Sequence, residues 1–341
     1  MRRTSLVELP EVFASPQPDS GARYLLGVDG GATKTLAAVL DLEQGTVHLG
    51  HAGPSNEDSV GPRAAVGALL AAADAALQAA GVDEQQLGAA VLAVAGTDTH
   101  ALAVHVGEQR AEAWTVVNDV VGAWATATGA GPGVAAISGT GSNVFGVGRE
   151  GGSWRAGGWG HLLGDEGSGY WLGVQSIKAA LADREGSGPA TALSDAVREF
   201  FGAPSVEGVA ALVYSKPLGK GDIAAFGAQA ARIAEEGDAV AVDLYRRGAG
   251  ELAREIVAVI DHTGLEGRFP VGLIGSAFKA GAVFVSPLAE LVHARAPEAA
   301  VDTVELAPVG GSLLLAAHVS GRTDAVDVEQ LTRLIEAAPE R

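Results

Sequence analysis

Residues 157–170 read Gly-Gly-Trp-Gly-His-Leu-Leu-Gly-Asp-Glu-Gly-Ser-Gly-Tyr and are followed by a long apolar-periodic segment. The six glycines do not suit the interior of a helix or strand, where each glycine costs roughly 0.5–1 kcal/mol relative to alanine. The pattern therefore predicts a ligand-holding loop that leads into a helix.

Two similar halves are predicted around this loop, each in the order βββαβαβα. Strands are predicted at 24–29, 35–40, 47–52, 90–94, 114–117, 134–137, 143–147, 153–156, 271–274 and 303–306. Helices are predicted at 60–80, 101–110, 120–128, 168–181, 288–295 and 310–319, with further helices near 189–200, 222–234 and 238–262 in an insertion at about 185–265. The pattern indicates two α/β domains, each with one mixed sheet.

The predicted boundaries follow from this repeat. They are a mobile tail at 1–22, an N-terminal domain at 23–129, a C-terminal domain at 130–324 that carries the insertion, and a C-terminal helix within 325–341. A chain of 341 residues with 48% hydrophobic content is long enough for two full cores.

Composition excludes several classes of function. No cysteine is present, which rules out disulfides, thiolate zinc sites, iron–sulfur clusters and a thiol nucleophile. The net charge of -18 argues against nucleic acid and anionic membranes as partners. No histidines stand at metal-ligand spacing, and no signal peptide or long apolar run is visible, so we expect no structural zinc and a cytoplasmic protein.

The first hairpin carries Asp29-Gly-Gly-Ala-Thr-Lys34 between two predicted strands. It is neither a P-loop nor a dinucleotide-binding fingerprint, because both of those motifs open a helix. What remains is a turn whose N–H groups can form an anion site, or an ordinary Gly-Gly hairpin. Ser138-Gly-Thr-Gly-Ser-Asn143 occupies the equivalent turn of the second half, and the pair predicts a symmetrical polyphosphate clamp.

Three further features favour a site. Asn118-Asp119 follows a strand and begins a helix, so Asp119 is either part of an N-cap or a general base toward an alcohol. Trp159, Asp165 and Glu166 fit a sugar site, although the indole equally suits a core and the carboxylates equally suit a helix cap. Gly275 ends an apolar strand and allows close approach of a flat ligand such as adenine, or simply forms a turn.

Taken together, these motifs resemble the N-acetylglucosamine kinase family of the sugar kinase/Hsp70/actin superfamily, with a BadF-type ATPase-like domain, over about residues 24–320. The motifs are Gly27-Val-Asp-Gly-Gly-Ala-Thr-Lys34, Ser55-Asn56, Asn118-Asp119, Ile137-Ser-Gly-Thr-Gly-Ser-Asn143, residues 157–168 and Leu273-Ile-Gly-Ser276. The resemblance implies two ribonuclease H-like (actin-like) domains flanking a cleft. Two relatives, the dehydratase activator ATPases and the repressor/open-reading-frame/kinase sugar kinases, depend on cysteines that this chain lacks.

The resemblance also implies residue roles and ligands. ATP and Mg²⁺ would be bound by Asp29, Gly30, Gly31, Thr33, Lys34, Gly139, Thr140, Gly141, Ala224 and Gly275, with Asp29 near the Mg²⁺, possibly through water. The sugar would be bound by Asn56, Asp119, Gly158, Trp159, Gly160 and Asp165. Asp119 would take the proton from the 6-hydroxyl.

The expected activity is ATP-dependent phosphorylation of N-acetylglucosamine at the 6-hydroxyl by a homodimer. Glucosamine or glucose kinase is the alternative within the same class. A sugar sensor or actin-like ATPase that transfers nothing is the alternative from a different class.

Overall fold

In the computed structural model, the described residues are 9–13, 17–96, 99–110, 114–215 and 218–339. They form two compact units. The first comprises Met1–Gly133, Val147–Ser153 and Val304–Arg341, and the second comprises Val134–Gly146 and Trp154–Thr303.

The described residues form ten strands in two sheets. The strands are β1 (Tyr24–Gly30), β2 (Thr35–Asp41), β3 (Thr46–Ala52), β4 (Leu87–Val94), β5 (Trp114–Asn118), β6 (Gly133–Ser138), β7 (Ser142–Val147), β8 (Ser153–Gly157), β9 (Pro270–Ile274) and β10 (Ala300–Thr303). The sheet orders are β3-β2-β1-β4-β5 and β10-β9-β6-β7-β8, so each unit repeats one plan, and the predicted α/β fold with two mixed sheets is confirmed.

Thirteen α-helices surround these sheets in the part of the chain that the structure describes. They are α1 (Glu57–Val60), α2 (Pro62–Ala80), α3 (Thr99–Gly107), α4 (Asp119–Thr128), α5 (Gly169–Glu185), α6 (Leu193–Phe200), α7 (Val206–Tyr214), α8 (Lys220–Ala225), α9 (Gly227–Glu235), α10 (Ala239–Thr263), α11 (Ala282–Arg295), α12 (Pro308–Val319) and α13 (Val328–Ala337).

The first sheet is covered by helices on both faces. Helix α2 packs on β2 and β3, and α12 packs on β1 and β4. Two glycines permit this close packing, because a Cβ at Gly50 would lie 2.2 Å from the backbone of α2 and a Cβ at Gly27 would lie 2.7 Å from the backbone of α12. Central strands buried on both faces explain the near-continuous apolar runs of β1 and β4.

Helix α2 is long and apolar enough by composition to cross a membrane. Its face containing Ala65, Leu69 and Ala73 is buried in the core of the first unit. It is therefore a core helix in this fold.

The second unit encloses one large core. Strands β6 and β9 are parallel and pair from Val134 with Val271 to Ile137 with Ile274, and β10 pairs in parallel with the other edge of β9. Residues of the insertion helices α6 to α10 contribute buried side chains to the same core as β6 and β9, so the insertion is built into this unit.

Three predicted elements need correction. The last strand is 300–303 rather than 303–306, because this edge strand exposes Asp302 and Thr303 and so lacks apolar alternation. The predicted helix at 222–234 is divided at Phe226 into α8 and α9, and α7 was not predicted. Helix α11 starts at residue 282 instead of 288 and contains Pro287.

Two predicted boundaries also differ. Helix α12 lies with the first unit, since it contacts β1, β4 and α4, whereas the sequence placed it in the second domain. The N-terminal residues predicted to be mobile make contacts where they are described: Phe13 is buried near His318, and Ser20 N–H donates to the carbonyl of Ser320. An apolar anchor of this kind holds the segment to the first unit.

Candidate functional site

The sheet register of the first unit brings its polar residues to one edge. Gly30 pairs with Val94, and Val94 pairs with Asn118, so parallel strands β1, β4 and β5 end side by side. Ligands in open α/β sheets bind outside the carboxyl ends of the strands. Asp29 and Asp119 lie at this edge, as the sequence predicted.

The sequence left two roles open for Asp119, part of a helix N-cap or a general base, and the cap is made by its neighbour Asn118. The Asn118 side chain is the N-cap of α4, because its Oδ1 accepts from the N–H of Val120 at 3.2 Å and its Nδ2 donates to the carbonyl of Gly96 at 3.0 Å. Asp119 is the first helical residue and is partly exposed. The cap is thus made by Asn118, and the carboxylate of Asp119 is not needed for it.

The electrostatics of this edge favour a cation. Burial raises the pKa of Asp29 to about 6, the nearby Asp119 carboxylate adds to the rise, and Lys34 opposes it. A positive charge beside the two carboxylates would offset this repulsion.

This donor set fits Mg²⁺, which proteins commonly bind through one or two carboxylates together with substrate phosphates. No group of three or more His, Asp or Glu side chains able to hold a metal occurs among the residues described. A metal ion at this edge would be held by Asp29, directly or through water, and a bound substrate would supply its remaining ligands.

The turn between β1 and β2 is fixed by backbone bonds. Gly31 N–H donates to the carbonyl of Lys34 at 3.1 Å, and Ser55 N–H donates to the carbonyl of Gly31 at 3.0 Å. Thr33 and Lys34 are exposed at its tip. Because Asn56 follows Ser55, the turn and the predicted sugar residue Asn56 are attached to each other.

The equivalent turn of the second unit is assembled from glycines. Gly139 N–H donates to the carbonyl of Gly141 at 2.9 Å, and Gly169 N–H donates to the carbonyl of Gly139 at 2.8 Å. A Cβ at Gly275, where φ is 124°, would lie 2.2 Å from the carbonyl oxygen of Ser138. Only glycine permits this approach of β9 to the turn.

Helix α8 lies against Gly169, the residue that is bonded to this turn. A Cβ at Gly169 would lie 3.2 Å from the carbonyl oxygen of Ala224. The structure therefore brings together the predicted nucleotide residues of the second unit, namely the turn at 139–141, Gly275 and Ala224.

The glycine-rich loop at 157–168 lies beside this turn. Gly158 N–H donates to the carbonyl of Ser142 at 3.1 Å, and the Arg155 guanidinium donates to the carbonyl of Gly158 at 2.7 Å. Trp159 is 59% exposed, which removes the alternative of a core tryptophan. Its indole is available to a ligand.

Asp165 holds the loop to the turn. It is a non-glycine residue with φ 64° and is only 3% exposed. Its Oδ1 accepts from the N–H of Ser142 at 3.2 Å, and its Oδ2 forms an ion pair with Lys220 Nζ at 2.7 Å. The N-cap of α5 is Ser168, so neither Asp165 nor Glu166 is the cap residue.

A buried carboxyl group contacts the other end of this loop. A Cβ at Gly157 would lie 2.5 Å from Glu255 Oε2, an atom that is buried and accepts no hydrogen bond from the residues that the structure describes. Burial raises the pKa of Glu255 to about 7, Glu166 and Asp165 add to the rise, and Arg254 and Arg155 oppose it.

Sequence reasoning missed Lys220, Arg155 and Glu255. Lysine is rare in this chain, with five residues in all, and that scarcity is the one signal that marks Lys220. No local pattern marks Glu255, which lies on an amphipathic helix about 100 positions after the loop it contacts.

Comparison with known proteins identifies the family to which this chain belongs. A family model described as the BadF/BadG/BcrA/BcrD ATPase family matches residues 26–316. The chain belongs to this family. The resemblance inferred from the motifs is thereby confirmed.

Three relatives are informative. An N-acetylmuramic acid/N-acetylglucosamine kinase of Clostridium acetobutylicum is 30% identical over 72% of this chain and 82% of its own length. An N-acetyl-D-glucosamine kinase of Dictyostelium discoideum is 29% identical over 85% of this chain and 97% of its own length. The crystal structure of a candidate N-acetylglucosamine kinase from Chromobacterium violaceum superposes with a TM-score of 0.68 at 25% identity, covering 86% of this chain and 99% of that one.

Proposed function

We propose that this protein transfers the terminal phosphoryl group of ATP to the 6-hydroxyl of N-acetylglucosamine. The observation that carries the proposal is the position of Asp119, a carboxylate at the carboxyl edge of a parallel sheet beside a second carboxylate and a glycine turn. Family membership and the names of two curated relatives support the same activity.

The residues of the first unit have distinct tasks. Asp119 accepts the proton of the attacking hydroxyl, for which general-base help is worth about 10²- to 10⁴-fold. At the turn that follows Gly30 and Gly31, Thr33 offers a hydroxyl and Lys34 an ammonium to the phosphates, while the Gly31 N–H is bonded within the turn to the carbonyl of Lys34. When bound at Asp29, Mg²⁺ neutralises charge that develops on the transferring group.

The residues of the second unit bind and orient. The turn at 139–141 offers phosphate the N–H groups of Thr140 and Gly141, since that of Gly139 is bonded within the turn, and Gly275 and Ala224 border the nucleotide. Trp159 offers its indole face to the sugar ring, with Gly158 and Gly160 beside it. Asp165 keeps unused lone pairs after its bonds to Ser142 and Lys220, so it can still accept from a sugar hydroxyl.

Other acceptors remain candidates on specific grounds. The relative from Clostridium acetobutylicum is named for N-acetylmuramic acid as well as N-acetylglucosamine. N-acetylmuramic acid, which carries a lactyl ether at the 3-position of the sugar, is therefore an acceptor to include. Glucosamine and glucose differ from N-acetylglucosamine only at the 2-position of the sugar, so they are also candidate acceptors. A protein that binds sugar and hydrolyses ATP without transfer is the alternative from another class. We also expect a cytoplasmic homodimer.

One experiment separates these possibilities. ADP release is measured with Mg²⁺, ATP and each of N-acetylglucosamine, N-acetylmuramic acid, glucosamine and glucose, and the product is examined by ³¹P–¹H NMR. We expect the highest kcat/KM with N-acetylglucosamine and a phosphorus coupling to the two protons on carbon 6. Sugar-independent ADP release, or phosphate on another carbon, would contradict the proposal.

A further inference from the structure

Asp165 combines an unfavourable backbone conformation with a buried charge. A non-glycine residue with positive φ is strained because its Cβ crowds the backbone carbonyl, and this carboxylate is also almost fully buried. A buried carboxylate is retained only with good partners. The two partners are the N–H of Ser142, at the end of the turn, and the ammonium of Lys220.

The carboxylate lies directly against the glycine turn. A Cβ at Gly141 would lie 3.0 Å from each carboxylate oxygen of Asp165. An unneutralised carboxylate beside the turn would oppose phosphate binding at residues 139–141, because like charges repel each other strongly where little water screens them. Lys220 supplies the neutralising charge; its side chain is 35% exposed whereas that of Asp165 is 5% exposed, so the carboxylate is the shielded member of the pair.

Lys220 also connects two parts of the second unit that are distant in sequence. It is the first residue of α8, and four residues later Ala224 contacts Gly169, whose N–H is bonded to Gly139. The same ammonium lies 5.9 Å from the ring centre of Tyr170, which makes an edge-to-face contact with His161 of the loop. Helix α8 is thus attached at its first turn to the loop and at its end to the start of α5.

We propose that Lys220 is a positioning residue: its ammonium neutralises Asp165 and so holds the turn at 139–141 in a form that accepts the phosphates of the nucleotide. This inference rests on the proposed function for the identity of the nucleotide. It assigns Lys220 no contact with the reacting atoms. Its effect passes through the carboxylate of Asp165.

The test compares Lys220→Met, Lys220→Arg, Asp165→Asn and the double variant Asp165→Asn/Lys220→Met, with Lys178→Met as the matched control on an exposed lysine of α5. Each is measured for the KM of ATP in the sugar assay and for the Kd of a non-hydrolysable ATP analogue with Mg²⁺ by calorimetry. We expect Lys220→Met to raise both constants at least about tenfold, Lys220→Arg to restore most of the affinity, and Lys178→Met to leave it unchanged.

The double variant distinguishes neutralisation from a general loss of structure. Because the harmful group is the unpaired carboxylate, Asp165→Asn/Lys220→Met should bind the nucleotide more tightly than Lys220→Met and about as tightly as Asp165→Asn. If Lys220→Met does not fold, the comparison of the double variant with Asp165→Asn still decides the question. Equal nucleotide affinity in Lys220→Met and Lys178→Met, or a double variant that binds worse than either single one, overturns the inference. A wild-type chain that binds the analogue but phosphorylates no sugar would defeat only the proposed function.

Discussion

The two units present the same sheet edge with different chemistry. In each, a turn joins the first two strands and a parallel neighbour strand ends beside it. The first unit places Asp29 and Asp119 there, and their mutual repulsion contributes to the raised pKa of Asp29. The second unit places glycines there, and its nearest carboxylate, Asp165, is already neutralised by Lys220. Under the proposed function, one plan therefore yields a reactive edge in the first unit and a binding edge in the second.

The largest expected effect follows from the reactive edge. Asp119→Asn keeps the size of the side chain but removes the proton acceptor, so we expect kcat to fall by about 10²- to 10⁴-fold while the Kd of the ATP analogue changes little. The control is Asp324→Asn, an exposed aspartate of the same unit. A variant that retains more than a tenth of the sugar-dependent ADP release would show that Asp119 is not the base.

Replacing one glycine by alanine beside each turn should affect the stability of the two units differently. A Cβ at Gly30 would lie 2.6 Å from Ser55 Oγ and 2.8 Å from Leu69 Cδ2, so Gly30→Ala should lower the free energy of unfolding by about 1–3 kcal/mol. A Cβ at Gly139 meets nothing within 4 Å, so Gly139→Ala should change the free energy of unfolding by less than about 0.5 kcal/mol. Thermal unfolding curves measure both.

Gly139→Ala also tests the binding role separately from stability. The methyl group would occupy the space that phosphate needs at the turn, so the KM of ATP should rise although the fold is unchanged. A stable Gly139→Ala protein with the wild-type KM would remove this turn from the nucleotide site.

Much of the fold could be predicted because its signals are local. Apolar strands that end in Asp29, Asn118 or Gly275 mark both the sheet and the edge at which the site lies. Strand β10 was predicted three residues too late in the sequence. An edge strand can expose polar side chains, so the alternation of apolar and polar residues that marks interior strands is missing. Helix α12 was assigned to the wrong unit because a buried apolar pattern does not reveal which sheet it covers.

The site was predictable only where one turn or strand end supplies it. The ion pair between Asp165 and Lys220 joins positions 55 residues apart, and no pattern within either segment predicts it. Glu255 reaches the loop from a long helix whose amphipathic pattern only indicates burial. Long-range pairs of this kind depend on tertiary packing.

Glu255 gives the loop of the second unit a pH-dependent stability. Its folded pKa of about 7 lies above the 4.5 of an unperturbed glutamate, so the stabilisation is complete below about pH 4.5 and is lost as the pH rises through 7. Glu255→Gln cannot ionise. The difference in Tm between Glu255→Gln and the wild type should therefore shift by a few degrees in favour of the variant from pH 5 to pH 8. The exposed Glu236→Gln is the control, and a pH-independent difference would contradict this reading.

The smallest expected effects compare two hydroxyls at equivalent positions, the first residue of the second strand in each unit. Thr35 Oγ1 bonds both the carbonyl of Gly53 at 2.7 Å and Ser55 Oγ at 2.8 Å, whereas among the described residues Ser142 Oγ bonds the carbonyl of Glu166, at 3.1 Å. At about 0.5–1.5 kcal/mol per bond, Thr35→Val should lower the free energy of unfolding more than Ser142→Ala does. Denaturant unfolding of both variants makes the comparison, and an equal or reversed order would contradict it.

The same pair of variants separates side-chain from backbone attachment of the two loops. Ser142→Ala leaves the backbone N–H that binds Asp165 in place, so the loop at 157–168 should keep its position and the KM of the sugar should not change. Thr35→Val removes the hydroxyl that fixes Ser55, the residue before Asn56, so the KM of the sugar should rise. A rise for Ser142→Ala as well would mean that the hydroxyl, rather than the backbone, attaches the loop of the second unit.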